Sequence, residues 1–172
     1  MDWYVVDKDY CNYLYGIDKK VGFVDYGDRL KLHIGIVLEV NGYQYYIPIS
    51  SPKAKHYKMS NSIDFQKIED PITNELYAVI NINNMIPVPR HLVTKLKYDK
   101  IQNYRIFSSD KERTDYIYLL QKEKVILDTL NETIIGKAER LYQSYIKNPN
   151  SRVSRRCCDF IALNRAAGMY TK

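Results

Sequence analysis

The stretch Leu32-His33-Ile34-Gly35-Ile36-Val37-Leu38-Glu39-Val40-Asn41-Gly42-Tyr43-Gln44-Tyr45-Tyr46-Ile47-Pro48-Ile49 decides the fold. Two runs rich in β-branched and aromatic residues meet across Asn41-Gly42. Asn-Gly suits the two-residue type I′ turn, because both central residues need positive φ and the turn's twist matches that of paired strands. The segment therefore reads as a β-hairpin. Ile34 to Leu38 is apolar at nearly every position, so this strand is expected to be buried on both faces. Gly35 within it signals a bulge or a close approach to the backbone.

On the N-terminal side, Trp3-Tyr4-Val5-Val6 reads as a short strand, and Asp7 can cap a helical turn running through Leu14. On the C-terminal side, Ser62–Gln66, Leu76–Ile80 and Met85–Val88 read as further strands. Pro48, Pro87 and Pro89 belong at strand ends or edges, where a missing N–H breaks no ladder. From Lys111 the apolar period becomes helical. Ile117, Leu120, Lys124, Leu127 and Asn131 trace one stripe, and Ile134, Ala138, Leu141 and Tyr145 another, with a break near Asn131. Asn148-Pro149-Asn150-Ser151 is a loop by composition. A last helix, Cys158–Ala167, is expected to stop at Gly168. Short strands followed by helices imply an α+β fold. The expected form is a compact, strongly curved antiparallel sheet or partly open barrel, with helices packed around it and a mainly helical C-terminal half. No internal repeat interrupts the chain, and its 172 residues suit a single domain spanning 1–172.

Lys and Arg number 26 against 20 Asp and Glu, a net charge of +6. The hydrophobic share of 45% supports a real core and excludes wholesale disorder. No window approaches the roughly 18 consecutive apolar residues of a membrane span, and Met1-Asp2-Trp3-Tyr4 does not open a signal peptide. A cytoplasmic protein is expected, with Cys11, Cys157 and Cys158 as reduced thiols. There are 17 Tyr against 4 Phe and 1 Trp. Tyrosine joined to basic charge is a composition that a nucleic-acid binder can use for stacking and phosphate contact.

The segment with the most chemistry leaves the hairpin's second strand: Ile49-Ser50-Ser51-Pro52-Lys53-Ala54-Lys55-His56-Tyr57-Lys58. Pro52 ends the strand, and hydroxyls, ammonium groups, an imidazole and a phenol follow at once. Together these can hydrogen-bond a phosphate, neutralise it and exchange protons near it. The chain has no HExxH, no Cys/His grouping, no GxxxxGK[ST] and no GxSxG, so neither metal nor cofactor is expected. What remains is metal-free work on a phosphodiester. In RNA the attacking group can be the substrate's own 2′-hydroxyl, and the protein needs only to align it, stabilise the charged transition state and handle two protons. His56 is a candidate acid, base or stacking group. The cluster Arg152, Arg155, Arg156 is a candidate phosphate grip, and Lys95, Lys97, Lys100 and Arg105 form a second basic strip. His33 and His91 read as structural.

The blocks His33–Tyr43 and Tyr46–His56 resemble the ToxN/AbiQ family of RNase toxins from type III toxin–antitoxin and phage abortive-infection systems. Asn81-Ile82-Asn83-Asn84-Met85-Ile86-Pro87-Val88 is similar to the family's second common block, and Trp3-Tyr4 with Tyr10 to its first. The resemblance implies a MazF/Kid-like fold and a metal-independent endoribonuclease that leaves 2′,3′-cyclic phosphate and 5′-hydroxyl ends. It implies inhibition by a repeated pseudoknot RNA antitoxin, whose precursor the enzyme processes, in a cyclic protein–RNA assembly. Carried over by position, the family's active-site Ser falls on Ser51 and its Lys on Lys53. The preceding hydroxyl residue falls on Ser50, the Lys before the central strand on Lys31, and the N-terminal Tyr on Tyr10. Tyr26 follows from the loop before that strand, and Lys55 stands where some members carry an aromatic residue. Catalysis is thus expected of Ser51, Lys53, Lys31 and Tyr10. RNA contact is expected of Ser50, Tyr26, Lys55, His56, Arg152, Arg155 and Arg156. The alternatives from different classes are a basic RNA-binding protein without catalysis and a protein-interaction domain whose tyrosines form a protein interface.

Overall fold

The computed structural model describes residues 1–171. The hairpin forms as its sequence dictates: β2 (His33–Val40) and β3 (Tyr43–Ser50) pair antiparallel across Asn41 and Gly42, whose φ values are +52° and +79°. The register shifts between Ile34 and Leu38, giving the irregularity that Gly35 announces. A close approach is there as well, since a Cβ at Gly35 would fall into the Tyr46 ring.

Around the hairpin lies a seven-stranded antiparallel sheet with the order β4-β5-β3-β2-β1-β7 and with β6 also on β3. The other strands are β1 (Asp2–Val6), β4 (Phe65–Glu69), β5 (Leu76–Asn81), β6 (Ile86–Val88) and β7 (Val93–Lys95). The sheet is α+β in context but does not close into a barrel, because β4 and β7 end the path unpaired with each other. Strand β3 changes partner along its length. Gln44, Tyr45 and Tyr46 pair with β6, whereas Ile49 and Ser50 pair with Ile80 and Val79 of β5. Pro48 lies inside the strand, between those two pairings, where its missing donor interrupts neither.

Helix α1 (Lys8–Ile17) begins as expected, with the Asp7 carboxylate accepting from Tyr10 N–H at 3.0 Å. A one-turn helix, α2 (Ala54–Tyr57), follows the Ser-Pro-Lys segment. The late helices are α3 (Asp110–Thr129), α4 (Asn131–Lys147) and α5 (Phe160–Met169), with the break at Leu130. α5 continues through Gly168, whose backbone sits against the Tyr43 hydroxyl, so this glycine fits a close contact and does not end the helix. No described helix is long and apolar enough to cross a membrane.

The core lies between the sheet and helices α1, α4 and α5. Much of the tyrosine excess is spent there. Tyr10, Tyr45 and Tyr46 are almost wholly buried, and Tyr45, Tyr142 and Tyr145 gather around the Phe160 ring. Such rings combine large apolar area with edge-to-face packing, which stabilises a small core. Helix α3 packs on β4 and β5 through Leu120, Glu123 and Leu127, and its two leucines join the same core. The sequence stripe places Lys124 on that face. Lys124 turns outward and pairs with Asp128 at 2.8 Å, and a carboxyl goes inward in its place.

Candidate active site

Three pieces of backbone converge at the end of the hairpin. The β2–β3 ladder continues one step past β2, with Ile49 N–H donating to the Leu32 carbonyl at 3.0 Å. Lys31 therefore arrives beside the Ser50 end of β3. The loop before it is folded on itself: Lys31 N–H donates to Val24 O at 2.7 Å and Tyr26 N–H to Arg29 O at 3.0 Å. That loop is in turn pinned to residues 104–106 by Leu30 N–H to Tyr104 O and Ile106 N–H to Asp28 O, each 2.8 Å. Arg105 is thereby delivered from far along the chain.

The result is an open cavity of about 400 Å³. Tyr26, Arg29 and Lys31 line it from the loop, Ser50, Ser51 and Lys53 from the end of β3, and Tyr77 and Ala78 from β5. Arg105 closes one side, and Tyr116, Leu119, Leu120 and Glu123 of α3 form the far wall. Of the residues expected at the site, Ser50, Ser51, Lys53, Lys31 and Tyr26 come together here.

Arg29, Lys31, Lys53 and Arg105 are the cations of the lining, and Glu123 is its one carboxyl. The first pair rides on the Tyr26 ring, with the Arg29 guanidinium at 5.2 Å and the Lys31 ammonium at 5.7 Å. Arg105 lies over the Tyr116 ring at 4.3 Å while its Nη2 holds Glu112 at 3.2 Å. Its Nε is buried without a partner. A guanidinium fixed by stacking and one ion pair keeps donors free for a phosphate.

Lys53 is fixed at its backbone. Its N–H donates to His56 Nδ1 at 3.0 Å, and His56 N–H returns a bond to the Lys53 carbonyl at 2.8 Å. The His56 ring is buried against Phe65. Burial, with the charges of Lys55 and Lys53 beside it, lowers its pKa and favours the neutral ring that accepts at Nδ1. The His56 ring is thus engaged with the Lys53 backbone and does not line the cavity. It holds Lys53 in place.

Tyr10 is also corrected. Its side chain has no exposure, and its hydroxyl donates to the Pro87 carbonyl at 2.6 Å inside the core. A tyrosine so enclosed cannot touch RNA; its role is to tie α1 to β6. Arg156 is committed elsewhere as well: its Nη2 and Nε hold the buried Asp64 at 2.7 and 2.8 Å. Arg152, Arg155 and Lys55 are exposed, and none of the four lines the cavity. Arg105 and Glu123 are the additions. Arg105 stands in the basic strip of the sequence, and nothing in the sequence marks Glu123 beyond its spacing with Leu120 and Leu127. Burial pushes the Glu123 acid up to about 8. Among the described residues, no group of His, Cys, Asp and Glu is placed to hold a metal ion.

A family model described as "Toxin ToxN, type III toxin-antitoxin system" matches residues 2–167. The chain belongs to this ToxN family. It is 26% identical to Endoribonuclease AbiQ of Lactococcus lactis subsp. lactis over 179 aligned residues, covering 99% of this chain and 89% of that protein. Among solved structures, one from work on selective toxin inhibition by a non-coding RNA pseudoknot superposes with a TM-score of 0.78 at 22% identity, covering 98% of this chain and 96% of that one. Another, from work on a processed non-coding RNA that regulates a bacterial antiviral system, gives a TM-score of 0.81 at 23% identity over the whole of both chains. These two share the fold of this ToxN-family chain.

Proposed function

We propose that this ToxN-family chain is a metal-independent endoribonuclease toxin that cuts RNA by internal transesterification in the cavity at the end of the hairpin. The observation that carries this reading is the meeting of Ser51, Lys53, Lys31 and Arg105 around one solvent-open space. The 2′-hydroxyl attacks the adjacent phosphorus, and the products end in a 2′,3′-cyclic phosphate and a 5′-hydroxyl. Ser50 and Ser51 hydrogen-bond the phosphate oxygens. Lys53, Lys31 and Arg105 balance the charge that builds up in the pentavalent transition state. Tyr26, half-exposed at the rim, offers a face for a base.

The same reading extends to regulation. The whole chain acts as one toxin domain in the cytoplasm, held inactive by a repeated pseudoknot RNA whose precursor it cuts. Protein and RNA alternate in a closed assembly, with Arg152, Arg155 and Lys55 as exposed phosphate contacts outside the cavity. The naming of the AbiQ relative as an endoribonuclease supports the activity. The RNA pseudoknot of one structural neighbour supports the partner.

The test uses the purified protein with a long single-stranded RNA, followed by end-group analysis. Wild type should release fragments with cyclic phosphate ends. Ser51→Ala and Lys53→Ala should each bind the RNA yet cut it at least about 100-fold more slowly. Retention of RNA by wild type without any fragments would instead favour the non-catalytic binder.

A further inference from the structure

The cavity is rich in groups that give protons and poor in groups that take them. Arg29, Lys31, Lys53 and Arg105 are donors only in their charged forms. Of the tyrosines that reach the space, Tyr116 has its phenol pKa raised by burial, so it stays protonated. Transesterification needs an acceptor for the 2′-hydroxyl proton as well as a donor for the departing oxygen. Glu123 is the one carboxyl in the lining.

Its placement is unusual for a carboxylate. Glu123 is only 5% exposed, between Leu120 and Leu127 on the inward face of α3. Among the described residues, no hydrogen bond or ion pair engages its carboxyl, and burial alone accounts for its altered acidity. The titratable groups that face it are Tyr116 on its own helix and Tyr98 from the 3₁₀ turn Tyr98–Asn103. Lys31 and Arg29 of the loop, Lys53 at the end of β3, Tyr77 of β5 and Arg105 line the same cavity without shifting the acidity of Glu123. Its helical neighbours Lys122 and Lys124 are engaged elsewhere, over the Tyr77 and Tyr118 rings and with Asp128 respectively. A carboxyl left without a partner in a donor-filled cavity is free to meet a substrate hydroxyl.

We infer that Glu123 is the general base of the cleavage reaction. This deepens the reading above and rests on it. The ionised carboxyl takes the proton from the 2′-hydroxyl as the O2′–P bond forms. The P–O5′ bond breaks with its electron pair leaving on O5′, which collects a proton from the Lys53 ammonium. Water returns the proton from Glu123 to Lys53 between turnovers, so the cycle is neutral overall. An acid near 8 is a stronger base than an ordinary carboxylate and still ionises within the working range.

The test compares wild type, Glu123→Gln and Glu123→Asp in single-turnover cutting of one RNA between pH 6 and 9. Gln keeps the shape of the side chain, and thermal unfolding confirms that each variant is folded. Wild-type cutting should rise about tenfold per pH unit at low pH and level off above about 8. Glu123→Gln should cut at least about 100-fold more slowly and lose that rise, with RNA affinity within about twofold of wild type. Glu123→Asp should keep the rise at a reduced rate. Replacing the bridging O5′ by sulfur makes a leaving group that needs no proton, so it should rescue Lys53→Ala but not Glu123→Gln. Rescue of Glu123→Gln by that sulfur, or cutting by it within about threefold of wild type with the same pH profile, overturns the assignment. Wild-type cutting in the same assay upholds the nuclease reading whichever way Glu123 falls. If wild type cuts nothing, both ideas go.

Discussion

Replacing Glu123 by Gln should make the protein more stable, increasingly so as the pH rises. The acid is pushed up from an ordinary 4.5 to about 8 by burial. Its folded-state pKa therefore lies above the unfolded one, and the folded form prefers the proton. Below about 4.5 the group is protonated in both states and costs nothing. Between about 4.5 and 8 the unfolded chain gains by ionising while the folded chain does not, so stability falls; above about 8 the loss is complete. At about 1.36 kcal/mol per pH unit, the difference between variant and wild type should grow by about 4 kcal/mol between pH 5 and 9. The carboxyls with lowered pKa, such as Asp2, Glu112 and Asp128, work in the opposite direction but are present in both proteins and cancel. Any constant packing cost of the amide cancels too, because the comparison is across pH. Urea unfolding would read the change as a midpoint gap widening by about 2 M, at a slope of about 2 kcal/mol per M. A gap that does not change with pH, or one that closes, would refute the reasoning. A residue that costs stability at working pH is best explained by use, since perturbed acids gather where chemistry needs them.

Tyr10→Phe removes the hydroxyl that satisfies the Pro87 carbonyl and should lower stability by about 1–3 kcal/mol while leaving the cutting rate per folded molecule unchanged. Thermal unfolding together with active-site-normalised rates would check both halves; a slower rate with unaltered stability would restore Tyr10 to the chemistry. His56→Ala frees the Lys53 backbone and should reduce the single-turnover rate by about 10- to 100-fold with RNA affinity unaltered, and an unchanged rate would show that Lys53 needs no such anchor. Because its pKa is lowered on folding, His56 should also cost stability as the pH falls below about 6.5, a loss absent from the alanine variant in paired denaturation curves.

The hairpin was legible because its signals are local: two adjacent residues that tolerate positive φ, flanked by β-formers. The Asp7 cap was legible for the same reason. Lys31, Ser50 and Ser51 could be placed together once β2 and β3 were paired, since the ladder itself carries Leu32 to Ile49. Arg105 could not, because it reaches the cavity through two backbone bonds to the loop around residues 28–30, a contact between distant segments with no periodic signature. Tyr10 and Tyr26 show the ambiguity of residue type. The same side chain serves the core at one position and the rim at the other, and only burial separates them. Glu123 was hidden by a sound rule, that carboxylates face water. The exception marks a site at which polarity was retained against the packing trend.

The most direct test of the account replaces the 2′-hydroxyl at the scissile position by hydrogen in an otherwise unmodified RNA. Because that oxygen is the proposed nucleophile, cutting there should fall by at least about 100-fold while affinity stays within about twofold. Cleavage of the deoxy-substituted RNA at the unmodified rate would contradict the central claim, whatever the fate of the individual side chains.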